Sequence, residues 1–244
     1  MIPATAGRVL SEEELRGFVH CAAYFWFGGK WKPNYQTQIT QYAFEKMIAV
    51  WLRKDIDNPI DLISKFIAEK TAKIHVQEHM LPQKSKDYQR WATLASHEIL
   101  NIFDVSNYLP IYGPVRYRVR LSKTPVELSL SGVLRSYKNQ TLHVLDFSPY
   151  HDPHAIKNDV VLHLKLSLLQ QLVKPNATRK EDVRIHSFSV TKSGKVYYNP
   201  LSSSDIDQTQ INHAGQLAQV MELGFKHPSL PCNFNCPYRS RCQP

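Results

Sequence analysis

Hydrophobic residues in the first part of the chain recur at the spacing of α-helices. Ser11 and Glu14 have the spacing of a capping box, in which each side chain bonds to the backbone amide of the other residue and a helix begins. Helical periodicity follows in four segments. These segments span about 11–28, 36–54, 60–80 and 86–104. We therefore expect an N-terminal helical region over residues 1–110.

After residue 110 the pattern changes to the alternation that is typical of β-strands. Strands are predicted at about 115–121, 126–135, 141–148, 183–190 and 195–199, and the second and third should form a hairpin. A long helix through Ile156 and Leu172 and a final helix over about 205–225 complete the order. This order predicts an α/β core over 111–200 and a C-terminal region over 201–244, within one compact unit.

The first predicted strand carries a row of arginines. Arg116, Arg118 and Arg120 alternate with hydrophobic residues, so a strand places the three guanidinium groups on one face. Such a face is suited to binding phosphate groups. The alternative is an ordinary solvated sheet face, which shows the same alternation.

The charge of the chain favours a polyanionic partner. Thirty Lys and Arg against twenty-one Asp and Glu leave a net charge of +9, with a pI near 9.3. Such a charge favours nucleic acid or an anionic membrane surface as the partner, and a merely basic surface is the alternative. No export signal and no apolar run of membrane-spanning length is apparent, so we expect an intracellular protein without a membrane partner.

The four cysteines form a pattern of possible metal ligands. Cys232, Cys236 and Cys242 lie within eleven residues near the C-terminus, and the fourth is Cys21 in the first predicted helix. Thiolates bind zinc and iron strongly, and close spacing allows one loop to wrap around the ion. Cys21 is the candidate fourth ligand. Two disulfides are the alternative, which a reducing interior disfavours.

Several segments resemble the RecB-like and Cas4-like branch of the PD-(D/E)XK nuclease superfamily. They are the opening helix with Cys21-Ala22-Ala23-Tyr24-Phe25, the segment Leu130-Ser131-Gly132-Val133-Leu134-Arg135, and the segment Leu142-His143-Val144-Leu145-Asp146-Phe147-Ser148. The resemblance implies a restriction-endonuclease-like mixed central sheet flanked by helices. It also implies a 4Fe-4S cluster bound by Cys21, Cys232, Cys236 and Cys242, with zinc as the alternative because the first C-terminal pair is one residue wider than usual.

The catalytic motif of that superfamily departs here from its usual residues. The family holds Mg²⁺ with two acids and aligns a water with a lysine, and the matching positions are Arg135, Asp146 and Ser148. One acid and the lysine are therefore missing, and Arg135 would oppose a bound cation. The resemblance thus implies an inactive site. The alternative is migrated catalytic residues, with a carboxylate from Glu127, Asp152 or Asp159 and with Lys165 from the following helix.

The leading hypothesis from the sequence is a catalytically inactive, nuclease-fold protein that binds DNA or belongs to a DNA-processing or mobile-element complex. Its phosphate contacts would come from Arg116, Arg118, Arg120 and Arg135. The first alternative is an active Mg²⁺-dependent deoxyribonuclease that uses Asp146. The second is a structural subunit whose basic face meets protein or RNA.

Overall fold

The protein has a mixed α/β structure in which helices pack on both faces of a β-sheet. The computed structural model describes residues 9–20, 33–53, 58–121, 124–139, 141–149, 155, 158–173 and 183–223. Within these ranges it contains six α-helices and eight β-strands, and the strands form two sheets. The α/β class predicted from the sequence is therefore confirmed.

The helices follow the predicted segments closely. They are α1 (Glu12–His20), α2 (Tyr35–Trp51), α3 (Leu62–Gln77), α4 (Pro82–Ile102), α5 (Val160–Val173) and α6 (Gln208–Leu223). The capping box is present, because Glu14 N donates to Ser11 Oγ and Ser11 N donates to Glu14 Oε2. Helix α4 begins at Pro82, earlier than predicted, because proline is well tolerated in the first turn of a helix. The predicted continuation of α1 to residue 28 lies outside the described residues.

The strands differ more from the prediction. They are β1 (Leu10–Ser11), β2 (Tyr108–Tyr112), β3 (Val115–Leu121), β4 (Thr124–Leu130), β5 (Gly132–Ser136), β6 (Leu142–Phe147), β7 (Val183–Val190) and β8 (Val196–Ser202). The single strand predicted over 126–135 is wrong, because the chain breaks at Ser131 into β4 and β5, which belong to different sheets. Strand β2 was missed. It contains Pro110, which an edge strand tolerates.

The two sheets have simple orders. The smaller sheet has the order β1-β4-β3, with β1 parallel to β4 and β3 antiparallel to it. The larger sheet has the order β2-β5-β6-β7-β8. Strands β5 and β6 form the predicted hairpin, whereas β7 runs parallel to β6 and follows it through α5. Strand β6 thus lies at the centre of the larger sheet.

Alternation along β6 divides its side chains between two hydrophobic layers. Leu145 and Phe147 pack into a core shared with α2, α3 and α4. Leu142 and Val144 pack on the opposite face, in a core shared with α5. Since successive side chains of a strand point to opposite faces, Asp146 lies on the α5 face. This placement determines which helix supplies the neighbours of Asp146.

A buried histidine pair connects the central strands on the other face of the sheet. His143 Nδ1 lies 2.8 Å from His186 Nε2, and His186 Nδ1 lies 2.9 Å from the Tyr198 hydroxyl group. Burial, His143 and Arg184 together lower the pKa of His186 from 6.5 to about 3. The imidazole of His186 is therefore neutral in the folded protein at neutral pH.

This neutral histidine should make the protein less stable in acid. The unfolded chain binds a proton at His186 below pH 6.5, whereas the folded protein does so only near pH 3, so the free energy of unfolding falls across that window. From about pH 7.5 to about pH 5, we expect the wild type to lose about 2 kcal/mol more than His186→Gln. Urea denaturation at each pH measures this difference. His97→Gln, which alters an exposed histidine on α4, should match the wild type, and equal losses in all three proteins would contradict the assignment.

Candidate active site

The centre of the candidate site is an ion pair between Asp146 and Lys165. The Lys165 ammonium group lies 2.5 Å from Asp146 Oδ1, and both residues are almost fully buried, at 1% and 3% exposed. Burial by itself would lower the pKa of Lys165, but the carboxylates of Asp146 and Glu12 raise it above its usual value. Lys165 therefore carries a full positive charge inside the protein.

Glu12 brings a second carboxylate to Lys165 from the N-terminal helix. The Lys165 ammonium group lies 2.9 Å and 3.0 Å from the two Glu12 carboxylate oxygens. Glu12 also accepts a hydrogen bond from the backbone N–H of Ser129, at the end of β4, and another from the Ser129 hydroxyl group. The carboxylates of Glu12 and Asp146 thus share one ammonium group.

A second buried ion pair holds this arrangement in place. Arg16, one turn after Glu12 on α1, donates to Asp159 at 2.9 Å and to Glu12 at 3.3 Å. Asp159 precedes α5 and accepts a hydrogen bond from the backbone N–H of Val161. Burial raises the pKa of Asp159, and Arg16 opposes that rise. Because Asp159 binds both the start of α5 and Arg16, the pair fixes α1 against the helix that carries Lys165.

Glu45 on α2 provides a third carboxyl group near Lys165. Its Oε1 accepts hydrogen bonds of 2.9 Å from Gln41 Nε2 and from the Ser131 hydroxyl group. Burial raises the pKa of Glu45, and the opposing hydrogen bonds and the charges of Lys165 and Arg116 only partly offset the effect. Glu45 therefore keeps a proton to a higher pH than an ordinary glutamate.

These groups line a cleft with a volume of about 450 Å³. Its walls include Asp146, Lys165, Glu12, Glu45 and, at its border, Arg116. Among these residues, Asp146, Glu12 and Lys165 are buried, while Arg116 is exposed on β3. In the described part of the chain, the full lining contains five acidic residues, Glu12, Glu13, Glu45, Glu127 and Asp146, and three basic ones, Arg16, Arg116 and Lys165. The cleft as a whole therefore favours cations, and a phosphate group would enter it most easily together with a bound cation.

The structure separates Arg135 from Asp146. Arg135 on β5 pairs with Leu142, which lies four residues before Asp146 on β6, whereas Gly132 pairs with Leu145 beside Asp146. Four residues of a strand span about 13 Å. Arg135 therefore does not lie next to Asp146, where the sequence alignment placed it. Ser148 is fully buried beyond the end of β6, and its backbone N–H donates to Phe188 O.

The other predicted arginines form a partly neutralised row. Arg116, Arg118 and Arg120 are exposed on β3, as the alternation predicted. Glu127, on the paired strand β4, lies 3.3 Å from Arg116 and 3.5 Å from Arg118. Glu127 therefore pairs with two of the three arginines but offsets only one of their charges. It borders the cleft, and in the described part of the chain it has no ion pair to Lys165.

Sequence analysis found only part of this site. It identified Asp146 and named Lys165 as a migrated lysine, and the structure brings these two together. It missed Glu12, Glu45 and Arg16, because Glu12 precedes Glu14 in a capping motif and Glu45 looks like an ordinary residue of an amphipathic helix. The four cysteines and Asp152 lie outside the described residues, so the iron-sulfur or zinc site stays a prediction.

The donor set fits a magnesium ion that is bound together with a substrate phosphate. Among the residues that the structure describes, no group of three or more histidine, cysteine, aspartate or glutamate side chains is arranged to hold a metal ion. Mg²⁺, however, is commonly held by one or two carboxylates together with water and substrate phosphates. Glu12 and Asp146 supply two carboxylates that line the cleft, and both contact the ammonium group of Lys165.

Comparison with known proteins adds no family assignment. Neither the models of known protein families nor the curated proteins gave a match to this chain. In the part of the chain that the structure describes, no helix has both the length and the apolar character needed to cross a bilayer. Functional conclusions therefore depend on the geometry of the cleft.

Proposed function

We propose that this protein is a metal-dependent nuclease that hydrolyses phosphodiester bonds of DNA, with a restriction-endonuclease-like arrangement of its sheet and helices. The observation that carries the proposal is the contact of 2.5 Å between Lys165 and Asp146 inside a cleft that also contains Glu12. Metal-assisted phosphodiester hydrolysis uses carboxylates to hold the metal ion, and a lysine beside them can orient the attacking water or stabilise the phosphate.

The side chains have distinct roles in this proposal. Asp146 and Glu12 would hold Mg²⁺, which when bound polarises the phosphate and acidifies a water molecule. Lys165, held between the two carboxylates, presents a protonated ammonium group to the phosphate or to the attacking water. Arg116 at the border of the cleft contacts a neighbouring phosphate. Glu45, with its raised pKa, exchanges a proton with water at the cleft wall.

The position of Arg135 favours activity over the inactive protein expected from the sequence. That expectation depended on one missing acid, with Arg135 in its place beside Asp146, and on the loss of the lysine. Arg135 pairs with Leu142 instead, and Lys165 supplies an ammonium group from α5. The aligned motif has its acid and its lysine on one strand. Here Asp146 lies on β6, and Lys165 reaches it from α5, which packs on the face of the sheet to which Asp146 points.

Cleavage of labelled DNA tests the proposal directly. The wild type should convert single-stranded or duplex DNA to products with Mg²⁺ or Mn²⁺ and lose this activity in EDTA. Asp146→Asn should lower the rate by about 100-fold or more, since it removes a carboxylate that would hold the metal ion stabilising the transition state. Glu69→Gln, which neutralises an exposed carboxylate on α3, is the matched control and should retain the wild-type rate. Metal-independent products, or equal rates for Asp146→Asn and the wild type, would contradict the proposal.

A catalytically inactive DNA-binding subunit is the second candidate. Arg118 and Arg120 are exposed along β3, and the chain carries a net charge of +9, so a basic face exists whether or not the cleft is catalytic. DNA binding that weakens steeply with salt, together with no metal-dependent products under any of the conditions above, would favour this candidate.

A further inference from the structure

A second cleft adjoins the candidate active site. It has a volume of about 490 Å³ and lies between α2 and the segment that links β2 to β3. Glu45 and Pro114 line both clefts, so the two are neighbours along one surface. The residues that line only the second cleft are Tyr42, Lys46, Ala49, Leu52, Arg53 and Gly113.

One face of α2 supplies most of this lining. Tyr42, Lys46, Ala49 and Arg53 follow one another at intervals of four, three and four residues, the spacing of side chains on one face of a helix. Arg53 lies just beyond the last residue of α2, where Leu52 still has helical backbone angles. Lys46 and Arg53 are therefore about two helical turns apart, or about 10 Å. The same length of B-form DNA carries about three phosphates on each strand.

The charge of the second cleft is opposite to that of the active-site cleft. Among its described lining residues, two are basic, Lys46 and Arg53, and one is acidic, Glu45. Both basic side chains are exposed. Burial raises the pKa of Glu45, which weakens its negative charge near neutral pH. The second cleft therefore attracts anions, whereas the active-site cleft favours a cation.

Two lysines of α3 extend this positive charge. The ammonium groups of Lys46, Lys70 and Lys73 lie 5.6, 5.3 and 5.4 Å from the centre of the Tyr42 ring. Glu69 pairs with Lys73 at 2.7 Å. The pKa of Glu69 is lowered, first by its hydrogen bonds with Lys73 and Tyr42 and also by the charge of Lys46. Three ammonium groups gather around one ring beside one paired carboxylate, and a bound polyanion would relieve their mutual repulsion.

The segment from Gly113 to Arg116 leads from one cleft to the other. Gly113 lines the second cleft, Pro114 lines both, and Arg116 lines the active-site cleft. A phosphodiester chain whose reacting phosphate lies beside Asp146 would thus continue past Pro114 into the second cleft. There it would meet Lys46 in place of the acids of the first cleft.

We propose that the second cleft is a subsite for the phosphate backbone of a nucleic acid whose cleaved bond lies in the active-site cleft, with Lys46 and Arg53 on phosphates to one side of that bond. The inference rests on the proposed function, because the cleft of Asp146 and Lys165 fixes where the strand begins. It adds a substrate class, namely a polynucleotide that continues about three nucleotides or more beyond the cleaved bond. Contacts to phosphates alone carry no base sequence, so binding should be independent of sequence.

Fluorescence anisotropy of a labelled DNA duplex tests the subsite in EDTA, where cleavage does not interfere. Lys46→Gln/Arg53→Gln should weaken binding by about tenfold and reduce the magnitude of the slope of log affinity against log salt by about 1.8, the contribution of two phosphate contacts. Both side chains are exposed, so the variant should fold as the wild type does.

A matched variant separates local contacts from net charge. Lys192→Gln/Lys195→Gln removes the same charge from exposed positions in the turn between β7 and β8. This turn contacts the opposite end of α2, where Gln36 donates to Lys192 O at 3.0 Å. Its affinity should stay within about twofold of the wild-type value. Equal losses in the two double variants, or no loss in Lys46→Gln/Arg53→Gln, would overturn the subsite.

Cleavage with Mg²⁺ gives an independent measurement. Lys46→Gln/Arg53→Gln should raise KM for DNA by about tenfold and leave kcat nearly unchanged, as expected for lost binding that is uniform in the ground and transition states. The variant should hydrolyse the small diester bis(4-nitrophenyl) phosphate at the wild-type rate, because that molecule does not reach the second cleft. An equal loss of activity on DNA and on the small diester would contradict a subsite for a polynucleotide.

The outcomes distinguish this inference from the proposed function. If the wild type cleaves DNA with metal but Lys46→Gln/Arg53→Gln binds and cleaves DNA normally, the inference fails and the nuclease stands. If DNA binds through Lys46 and Arg53 without any metal-dependent cleavage, the nuclease fails and the phosphate subsite stands. Vesicles of phosphatidylserine and phosphatidylcholine that bind through these two residues, while DNA does not bind, would overturn a nucleic acid as the occupant.

Discussion

Lys165→Met is expected to abolish metal-dependent cleavage and to lower the free energy of unfolding by about 3–5 kcal/mol. Lys165 is 1% exposed, and its ammonium group lies within 3.0 Å of carboxylate oxygens of both Asp146 and Glu12. Without it, two carboxylates remain in a buried site with no shared cation. An uncompensated buried charge is costly, since the lost hydration is no longer replaced by a partner.

Urea denaturation and the DNA cleavage assay measure the two effects of Lys165→Met separately. Lys73→Met is the matched control, because it removes an ammonium group from an exposed ion pair of 2.7 Å with Glu69, and it should leave stability almost unchanged. The double variant Lys165→Met/Asp146→Asn should regain part of the lost stability without regaining cleavage. Wild-type stability and activity in Lys165→Met would show that the ion pair is unimportant to both fold and reaction.

Arg16→Met is expected to lower the free energy of unfolding by about 3–5 kcal/mol at neutral pH, about as much as Lys165→Met. Arg16 is 3% exposed and donates to Asp159, which is equally buried, and to Glu12. Since Asp159 also accepts from the backbone N–H of Val161, loss of Arg16 would disturb the start of the helix that carries Lys165. We therefore expect reduced cleavage as an indirect consequence of the altered α1 and α5 contact.

The cost of Arg16→Met should decrease in acid. Burial already raises the pKa of Asp159 above its usual 3.8, and removal of Arg16 should raise it further. The carboxyl group then becomes neutral at a higher pH in the folded variant than in the unfolded chain, so the stability deficit shrinks as the pH falls through that folded pKa. Chemical denaturation at several pH values checks this trend.

Two variants test the origin of that deficit. Arg16→Met/Asp159→Asn should recover part of it at neutral pH, because the buried charge is removed. Arg116→Met, at an exposed ion pair of 3.3 Å with Glu127, should have little effect on stability. A deficit in Arg16→Met that is constant from neutral to acid pH would contradict the buried-carboxylate explanation.

The hairpin of β5 and β6 shows why the aligned motif misplaced the site. Alternation runs from Val126 to Leu130 and stops at Ser131-Gly132, after which Val133 and Leu134 are adjacent hydrophobic residues. The Ser-Gly pair is a local sign of a break, which the prediction of one strand overlooked. The break is a consequence of packing, because β4 pairs with β1 and β3 while β5 pairs with β2 and β6. A register that pairs Arg135 with Leu142 then moves the arginine away from Asp146. Register depends on contacts between strands and is poorly specified by alternation alone.

Gly132 is a second residue whose role is explained by packing. The alignment matched it to a glycine of the family segment without giving a physical reason for it. A Cβ atom at this position would lie 2.4 Å from Ile48 Cδ1, and Ile48 is fully buried on α2. The glycine therefore permits β5 to approach α2 closely. Glu45, one turn earlier on the same helix, is thereby brought to Ser131 and to the cleft wall.

The amino-acid sequence was sufficient for the features that depend on nearby residues. Periodicity located α2 to α6 within a few residues, the capping box located the start of α1, and alternation placed three arginines on one exposed face. It also identified Asp146 and offered Lys165 as its partner. Each of these follows from backbone geometry that repeats every two or 3.6 residues.

Only the tertiary structure decided which distant residues share the site. Glu12 is 153 residues from Lys165, and Arg16 is 143 residues from Asp159, so no local pattern connects them. Their contacts arise because α1 packs on β4 and α5. In that buried contact, a charged side chain is stable only when an opposite charge is paired with it. The site was thus recognisable in the sequence through Asp146 and Lys165, and its second carboxylate became apparent only in the folded chain.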